Sequence, residues 1–430
     1  MKQKLLLALC ACMLLGGCGS AGSGKETGSE PTQEITKQNS VEMQKLGSDE
    51  EKEIIPVELE DEYQKAAYFA DQVYNKNHSN VLVSPLSLDI ALGLAYEGAS
   101  GTTKEELQKY LGREDYGDYV EQYLNYANGL KGGSNSGYSF AYELANSIWV
   151  KKERKLKGDY QKTVEEKYQA VAENVDFVNN ADATAKKINN WCDKKTHGMI
   201  KELVSPQTFS DKLEAILMNS VYFESPWQEE WSLEKHEFTD IKGAKETKEM
   251  LFDVLDVYYE NEHATAFAKD YYNGFQFIGI LPKQEGEFSM SDLDLKSLLD
   301  SRSTAYDVYA FAPKLDYETT ASNIMDILKA QGVRQAFDRY QGQFDQMVED
   351  KELYVSDILQ KCKIEMDDQG TRAAAVTAVI MYQTDCYEEP VEREKKEVYL
   401  DRPFAFLIYD SVNDKIVFAG KVIELMSSAD

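Results

Sequence analysis

The sequence predicts an α+β fold with large, mostly antiparallel β-sheets. Helical periodicity crowds the N-terminal half of the 430 residues, strand-like runs crowd the C-terminal half, and no period of twenty to fifty residues repeats. A composition of 43% hydrophobic and 28% charged residues is too apolar for a disordered chain and too polar for a multispanning membrane protein. The net charge of −28 repels phosphate backbones and argues against a nucleic-acid partner. With only 4 histidines, few general bases or zinc ligands are at hand, and neither a metal nor a cofactor is expected.

Taken in order, the chain opens with an address. Lys2 and Lys4 precede an apolar run from Leu5 to Leu15 that is too short to span a bilayer as a mature helix. The run ends in Leu15-Gly16-Gly17-Cys18, which resembles the lipobox of bacterial lipoproteins. That resemblance implies removal of residues 1–17 and a diacylglycerol on Cys18, whose two acyl chains suffice for lasting anchorage. The protein would then be exported and held at the bacterial cell membrane or cell surface. An ordinary secretory signal with an incidental cysteine is the alternative. Loss of Lys2 and Lys4 takes the net charge from −28 to about −30. Residues 18–55 are rich in Gly, Ser, Thr, Gln, Glu and Lys and read as a flexible tether. Of the six cysteines, Cys10 and Cys12 leave with the signal, and Cys192, Cys362 and Cys386 remain beside Cys18. No C-x-x-C occurs, so a disulfide scaffold is not expected, though one bridge or a free thiol stays open.

The body, residues 56–430, begins with a helix in which Tyr63, Ala67, Ala70 and Val73 recur at helical spacing. Val81–Val83 reads as a short strand stopped by Pro85. Leu86 to Gly98 reads as a helix apolar on most sides, hence buried on most sides. Thr102 or Thr103 is the expected N-cap of a helix through Tyr110. Strands are expected at 142–150, 215–223, 275–281, 306–311, 358–366, 404–409 and 416–423, with helices at 158–173, 181–195 and 320–331.

Common catalytic signatures are missing: no G-x-S-x-G, H-E-x-x-H, Walker A or acidic calcium loop occurs, and the chain is not expected to be an enzyme. Gly98–Lys104 lacks the ending of a phosphate loop. Cys192 and His197 lie five residues apart, which turns them to different helical faces; a packed cysteine and a surface histidine are expected there. Most unusual is the run from Asp368 through Gly370, Thr371, Arg372, Ala373, Ala374, Ala375, Val376 and Thr377 to Ile380, small and largely uncharged, followed by a polar tail, Gln383 to Glu397.

Set beside the rest of the chain, that run resembles the reactive-loop hinge of serpins, and other stretches match the family in the same order. They are Asn80-Val81-Leu82-Val83-Ser84-Pro85 with Glu97-Gly98-Ala99-Ser100-Gly101-Thr102-Thr103; Ala145-Asn146-Ser147-Ile148-Trp149-Val150; and Ile188-Asn189-Asn190-Trp191 through Thr196-His197-Gly198-Met199-Ile200. Leu217-Met218-Asn219-Ser220-Val221-Tyr222-Phe223 with Trp227 follows, then Arg402-Pro403-Phe404-Ala405-Phe406 before Gly420-Lys421-Val422. The resemblance spans residues 56–425 and implies the serpin fold, N-terminal helices packed on large sheets with an exposed reactive loop at about 368–400. It also implies irreversible suicide-substrate inhibition of serine proteases, with cysteine proteases left open as a second class of target. In serpins the cleaved loop enters the main sheet as an added strand and releases stored strain, dragging the acylated protease along.

Such an entry needs a hinge that fits between packed strands. Period-two alternation puts Thr371, Ala373, Ala375, Thr377, Val379, Met381 and Gln383 on one face, and Arg372 on the other, where its stem can lie along the sheet. No proline or charge stands on the first face to block insertion.

Counted from Asp368, which stands where the family has glutamate, the resemblance puts the scissile bond at Thr384–Asp385, within a window of Met381, Tyr382, Gln383, Cys386 and Tyr387. No Lys or Arg lies between Thr377 and Pro390, which favours elastase- or chymotrypsin-like targets over trypsin-like ones. Ser84 and Asn219 match the shutter beneath the sliding strands, with Gln360 where a histidine is frequent, so no pH sensitivity is expected there. Trp227 matches the breach, where insertion begins. The expected partners are a target protease in a covalent complex and the membrane through the lipid, with the chain itself a monomer. A non-inhibitory binding module or a plain protease substrate, suggested by Arg372 and the charged segment 388–397, is the alternative reading; an unrelated lipoprotein enzyme is the third.

Overall fold

A computed structural model describes residues 55–130, 140–349, 353–371 and 393–425. The first half is helical: α1 (Glu62–Asn77), a short strand β1 (Val81–Val83), α2 (Pro85–Gly98), α3 (Gly101–Leu111) and α4 (Tyr116–Gly129). Then β2 (Ala141–Lys151), α5 (Gly158–Tyr168), β3 (Val171–Val175) and α6 (Ala181–Lys195) alternate. Strands dominate thereafter: β4 (Ala215–Pro226), β5 (Ser232–Thr239), β6 (Lys245–Leu255), β7 (Tyr258–Glu260), β8 (Ala264–Asp270) and β9 (Phe275–Pro282). The chain continues through α7 (Leu295–Asp300), β10 (Tyr306–Ala312), β11 (Leu315–Ala321), α8 (Ile324–Ala330) and β12 (Val355–Met366). It closes with β13 (Gly370–Thr371), β14 (Glu394–Tyr399), β15 (Phe404–Asp410) and β16 (Lys415–Val422).

The strands form three sheets, ordered β1-β16-β15-β9-β8-β7, β14-β10-β6-β5 and β11-β12-β13-β4-β2-β3. Pairing is antiparallel except at β2–β3, β4–β12 and β10–β14. The last of the three sheets is central to the molecule. On one side it meets α2 and the main core, which runs through to the β15–β16 sheet. On the other it carries α6 over a smaller cluster that includes Trp149, Ile188, Cys192, Ile216, Met218 and Leu359.

Local sequence explains the positions of the key helices. Asp61 caps α1 by accepting from Gln64 N at 2.8 Å. Pro85 stands at the first turn of α2, where its missing N–H costs nothing, and Ser84 caps that helix. Every residue of α2 except Pro85, Asp89 and Glu97 is buried, as its uninterrupted apolar pattern predicts.

Several expectations need correction. The α3 cap is Ser100; Thr103 is buried and accepts from Gln343 N, so its hydroxyl serves a tertiary contact. The expected helix 158–173 ends at Tyr168, the last member of a buried face Tyr160-Val164-Tyr168, and Gln169 turns left-handed at φ 50°. Val171–Val175 then pairs with β2, so sheet pairing overrides helix propensity. The expected helix 320–331 shrinks to α8, because Leu315, Tyr317, Thr319 and Ala321 alternate inward along β11 against β12. The pattern also hid α4, α7, β5 to β8 and β14. β5 and β14 are edge strands rich in Lys and Glu, with mostly exposed residues, so little apolar alternation marks them.

Candidate functional site

Two long strands of the central sheet, β4 and β12, run parallel and side by side from Val355↔Ala215 to Cys362↔Val221. Above that point they diverge around β13. Met366 pairs with Thr371 on one side, while Gly370 and Thr371 pair antiparallel with Pro226 and Ser225 on the other. The chain leaving β12 thus turns back and starts down between its two neighbours.

That turn is densely held. Asp367 N–H donates to Gly370 O at 2.9 Å, and Asp367 Oδ1 accepts from Gln369 N at 2.9 Å and Gly370 N at 3.2 Å. Trp227 donates its backbone N–H to Gln369 O and its indole Nε1–H to Asp367 O at 2.8 Å. Its ring stacks on Tyr271 at 4.1 Å between centroids and meets Trp231 edge-on. Thr371 is buried, and its hydroxyl lies 2.5 Å from the Tyr271 hydroxyl. Burial works against ionisation of Asp368, yet the Lys314 ammonium at 2.8 Å outweighs it and holds the carboxyl below the usual carboxylate range.

Gly370 is needed for close approach. A Cβ at this position would lie 2.5 Å from Ser225 O and 2.7 Å from Pro226 Cα, contacts with backbone that cannot swing away. Only a residue without a side chain lets the hinge enter here.

Lower in the seam, Gln360 and Asn219 face each other in register, buried and bonded. Gln360 Nε2 donates to Asn219 Oδ1 at 2.7 Å and to Ser84 O at 2.9 Å, while its Oε1 accepts from Ser84 N at 2.8 Å. Asn219 Nδ2 donates to Ser87 O at 2.9 Å and to Asn146 Oδ1. Ser84 Oγ donates to Val417 O at 2.7 Å, which ties the network to β16. Ser84, Asn219 and Gln360, brought together from three distant parts of the sequence, therefore join α2, both seam strands and the sheet behind. Nothing in this set titrates near neutrality. Among the described residues Asn146 Nδ2 is buried with no acceptor, a debit on the order of 1–3 kcal/mol.

The outer face of the seam carries a further bridge. Lys361 of β12 donates to Glu202 O, beyond α6, at 3.0 Å and pairs with Glu318 of β11 at 2.9 Å. Cys192 of α6 sits 3.5 Å from Ser220 Oγ, and burial pushes its thiol up to about 11. His197 is instead half-exposed, 3.0 Å from Glu143 and stacked on Tyr222. No thiolate–imidazolium pair forms. Cys362 is buried, and burial raises its thiol well above the ordinary value.

Of the residues singled out in the sequence, Ser84, Asn219, Gln360, Trp227, Asp368, Gly370 and Thr371 all lie along this one seam. Arg372, Ala373, Ala374, Ala375, Val376 and Thr377 lie outside the described residues. So do Met381, Tyr382, Gln383, Thr384, Asp385, Cys386, Tyr387 and Cys18. Sequence reasoning missed Ser87, Asn146, Trp231, Tyr271, Lys314 and Lys361 as members of the arrangement. Asn146-Ser147 inside an otherwise apolar strand was a usable signal; Tyr271 and Lys314 carry none, because only tertiary contacts select them.

A family model described as Serpin (serine protease inhibitor) matches residues 64–425, and the chain belongs to that family. Among its relatives is an uncharacterized serpin-like protein of Thermococcus kodakarensis, 27% identical over 98% of this chain and 99% of the relative. A serpin-like protein of Methanosarcina mazei is 30% identical over 80% of this chain and 82% of its own length. The crystal structure of Serpin48 from the insect Tenebrio molitor superposes with a TM-score of 0.72 at 26% identity, covering 85% of this chain and 97% of that one. The native state of Tengpin, a thermophilic serpin, gives 0.70 at 27% identity, covering 86% and 96%. Membership carries a serine protease inhibitor-type role in general terms, with proteases as the kind of partner, and serpins are generally inhibitors rather than catalysts.

Two outcomes follow from the geometry. Gly370→Val should expel the hinge, at a cost of about 2 kcal/mol; hydrogen exchange should show the Thr371 amide losing protection, and an unchanged rate would contradict this account. The rate of seam opening, followed by tryptophan fluorescence on heating, should be flat between about pH 6 and 8. Gln360→His should make it rise severalfold below about pH 6.5, because a protonated imidazole cannot accept from Ser84 N.

Proposed function

We propose that this chain is an irreversible suicide-substrate inhibitor of serine proteases, anchored at the cell surface through a lipid on Cys18. The observation that carries the reading is the entry of Gly370–Thr371 between β12 and β4. Each further residue following Thr371 into the seam replaces part of one parallel ladder with two antiparallel ladders. Parallel pairing is slightly the less stable per residue, and each net hydrogen bond contributes on the order of 1 kcal/mol. Thr371, Ala373, Ala375 and Thr377 put only small uncharged side chains on the face that Thr371 buries, so no charge on that face has to be desolvated during the slide.

A protease that acylates itself on the loop would be carried along with the cut end and its active site distorted before the ester hydrolyses. The absence of Lys and Arg from 378 to 389 favours elastase- or chymotrypsin-like targets, with Thr384–Asp385 as the bait bond. A net charge of about −30 once residues 1–17 are removed would draw basic proteases to the surface, raising encounter rates at low salt.

Mixing the protein with pancreatic or neutrophil elastase, or with chymotrypsin, should yield a covalent adduct that survives boiling in detergent and forms more slowly as salt is raised. Mass spectrometry of the released fragment would fix the bait bond. Complete turnover that leaves only a nicked loop, with no rise in melting temperature on cleavage, would sink the inhibitory reading. For the anchor, metabolic labelling with a radioactive fatty acid should mark the wild-type chain and fail to mark Cys18→Ser; equal labelling of both would remove Cys18 from the account.

A further inference from the structure

Away from the seam, a cleft of about 320 Å³ opens between α1, α2, the end of α3, the start of α4 and the start of β16. Its size falls at the lower end of the range for small-ligand sites, roughly 300–1,000 Å³. The walls are aromatic, chiefly Tyr110, Tyr116 and Tyr119, and charged groups of both signs line it.

Asp89 is the group that packing does not explain. It is the one charge in α2 before Glu97, set in the most apolar of the described helices. Burial pushes its carboxyl up to about 6, against the pull of the Lys65 ammonium and the Tyr110 hydroxyl. Lys65 is committed elsewhere as well: it donates to the Tyr110 carbonyl at 2.6 Å and lies 4.4 Å from the centre of that ring. Lys415 attracts Asp89 as well and Glu62 repels it, and burial still outweighs the combined pull.

Another of the lining charges is in the opposite position. Arg113 pairs with Asp115 at 3.0 Å, but both side chains are substantially exposed, at 41% and 63%, and such pairs hold weakly. Its guanidinium lies 4.5 Å over the Tyr119 ring, available to an incoming anion. Lys415 is held by both oxygens of Glu62 and is not free in this way.

We propose that this cleft binds a small zwitterion with an apolar or aromatic body, an amino acid or short peptide, its ammonium on Asp89 and its carboxylate on Arg113. A lone cation would meet Lys65, Arg113 and Lys415, and a lone anion would meet Asp89 and Glu62; a molecule carrying both charges satisfies each. Leu86 and Leu88 line the cleft from the same turn of α2 that sends Ser84 and Ser87 to the seam. An occupant would brace that turn and raise the melting temperature of the uncut protein. The site stands whether or not the chain traps proteases.

The test is calorimetric titration of the uncut protein with L-phenylalanine, the dipeptide Leu-Phe, N-acetyl-L-phenylalanine and L-phenylalanine amide. The first two should bind and raise the melting temperature; N-acetyl-L-phenylalanine, which lacks the ammonium for buried Asp89, should bind at least about tenfold more weakly, and L-phenylalanine amide, which lacks the carboxylate for the more exposed Arg113, severalfold more weakly. Affinity for Leu-Phe should fall about tenfold between about pH 7.5 and 5, because a carboxyl titrating near 6 takes up a proton there and loses its attraction for the ammonium. Asp89→Asn, close in shape and checked for folding by circular dichroism, should lose the binding and its pH dependence together; Arg113→Gln, at the surface, should weaken it severalfold. Equal binding of capped and uncapped forms, or no heat and no melting shift with any of the four at millimolar concentration, would overturn the proposal.

Discussion

The arrangement of this molecule depends on one parallel contact, the seam between β12 and β4. Both strands have antiparallel partners on their outer sides, β11 and β2, so one more strand between them, running opposite to both, would give each an antiparallel neighbour on either side. Gly370–Thr371 runs that way. The seam is thus a place where the sheet is complete and yet not at its best pairing, and the polar network at Gln360 and Asn219 is what closes it. Hydrogen bonds among buried neutral groups suit that task. Satisfied, they hold two strands in register; separated, they leave several donors and acceptors unpaired at once, which makes opening cooperative rather than gradual.

Several distant elements bear on the same seam. α2 enters through Ser84 and Ser87, β16 through Val417, and Lys361 connects β12 to the chain beyond α6. At the upper end, Trp227 and Tyr271 form a stacked pair that grips the turn by its backbone, and Lys314 holds Asp368 from the side. The start of the hinge, up to Thr371, is therefore firmly held. On the proposed reading this is what an irreversible trap requires, because a hinge that slid in before cleavage would spend its driving force without a protease attached.

How much of this was legible beforehand varied with the kind of signal. α1, α2 and α6 could be read within a residue or two because their apolar spacing or their flanking residues are local. β11 was not read as a strand, although Leu315-Asp316-Tyr317-Glu318-Thr319 alternates, and its last two residues, Thr320 and Ala321, were taken into the helix that follows, because the run is short and lies directly before a real helix. β5 and β14 are edge strands whose side chains mostly face water, and water leaves no apolar pattern to read. The site residues Ser84, Asn219, Gln360, Trp227 and Gly370 were picked out by resemblance of ordered motifs; no periodicity in the chain would have placed them together.

By itself the sequence determined the fold class, the buried character of α2, the small uncharged face of the hinge and the charge of the surface. All of these are properties of composition and of neighbours along the chain, where spacing alone decides which side chains share a face. Only the tertiary structure decided that Gln360 meets Asn219 across a parallel seam, that Gly370 must lack a side chain because Ser225 and Pro226 lie against it, and that Asp89 faces a cleft. Those facts turn on distances between segments more than a hundred residues apart or on the direction of a single side chain, and packing sets both only after the whole chain has closed around them.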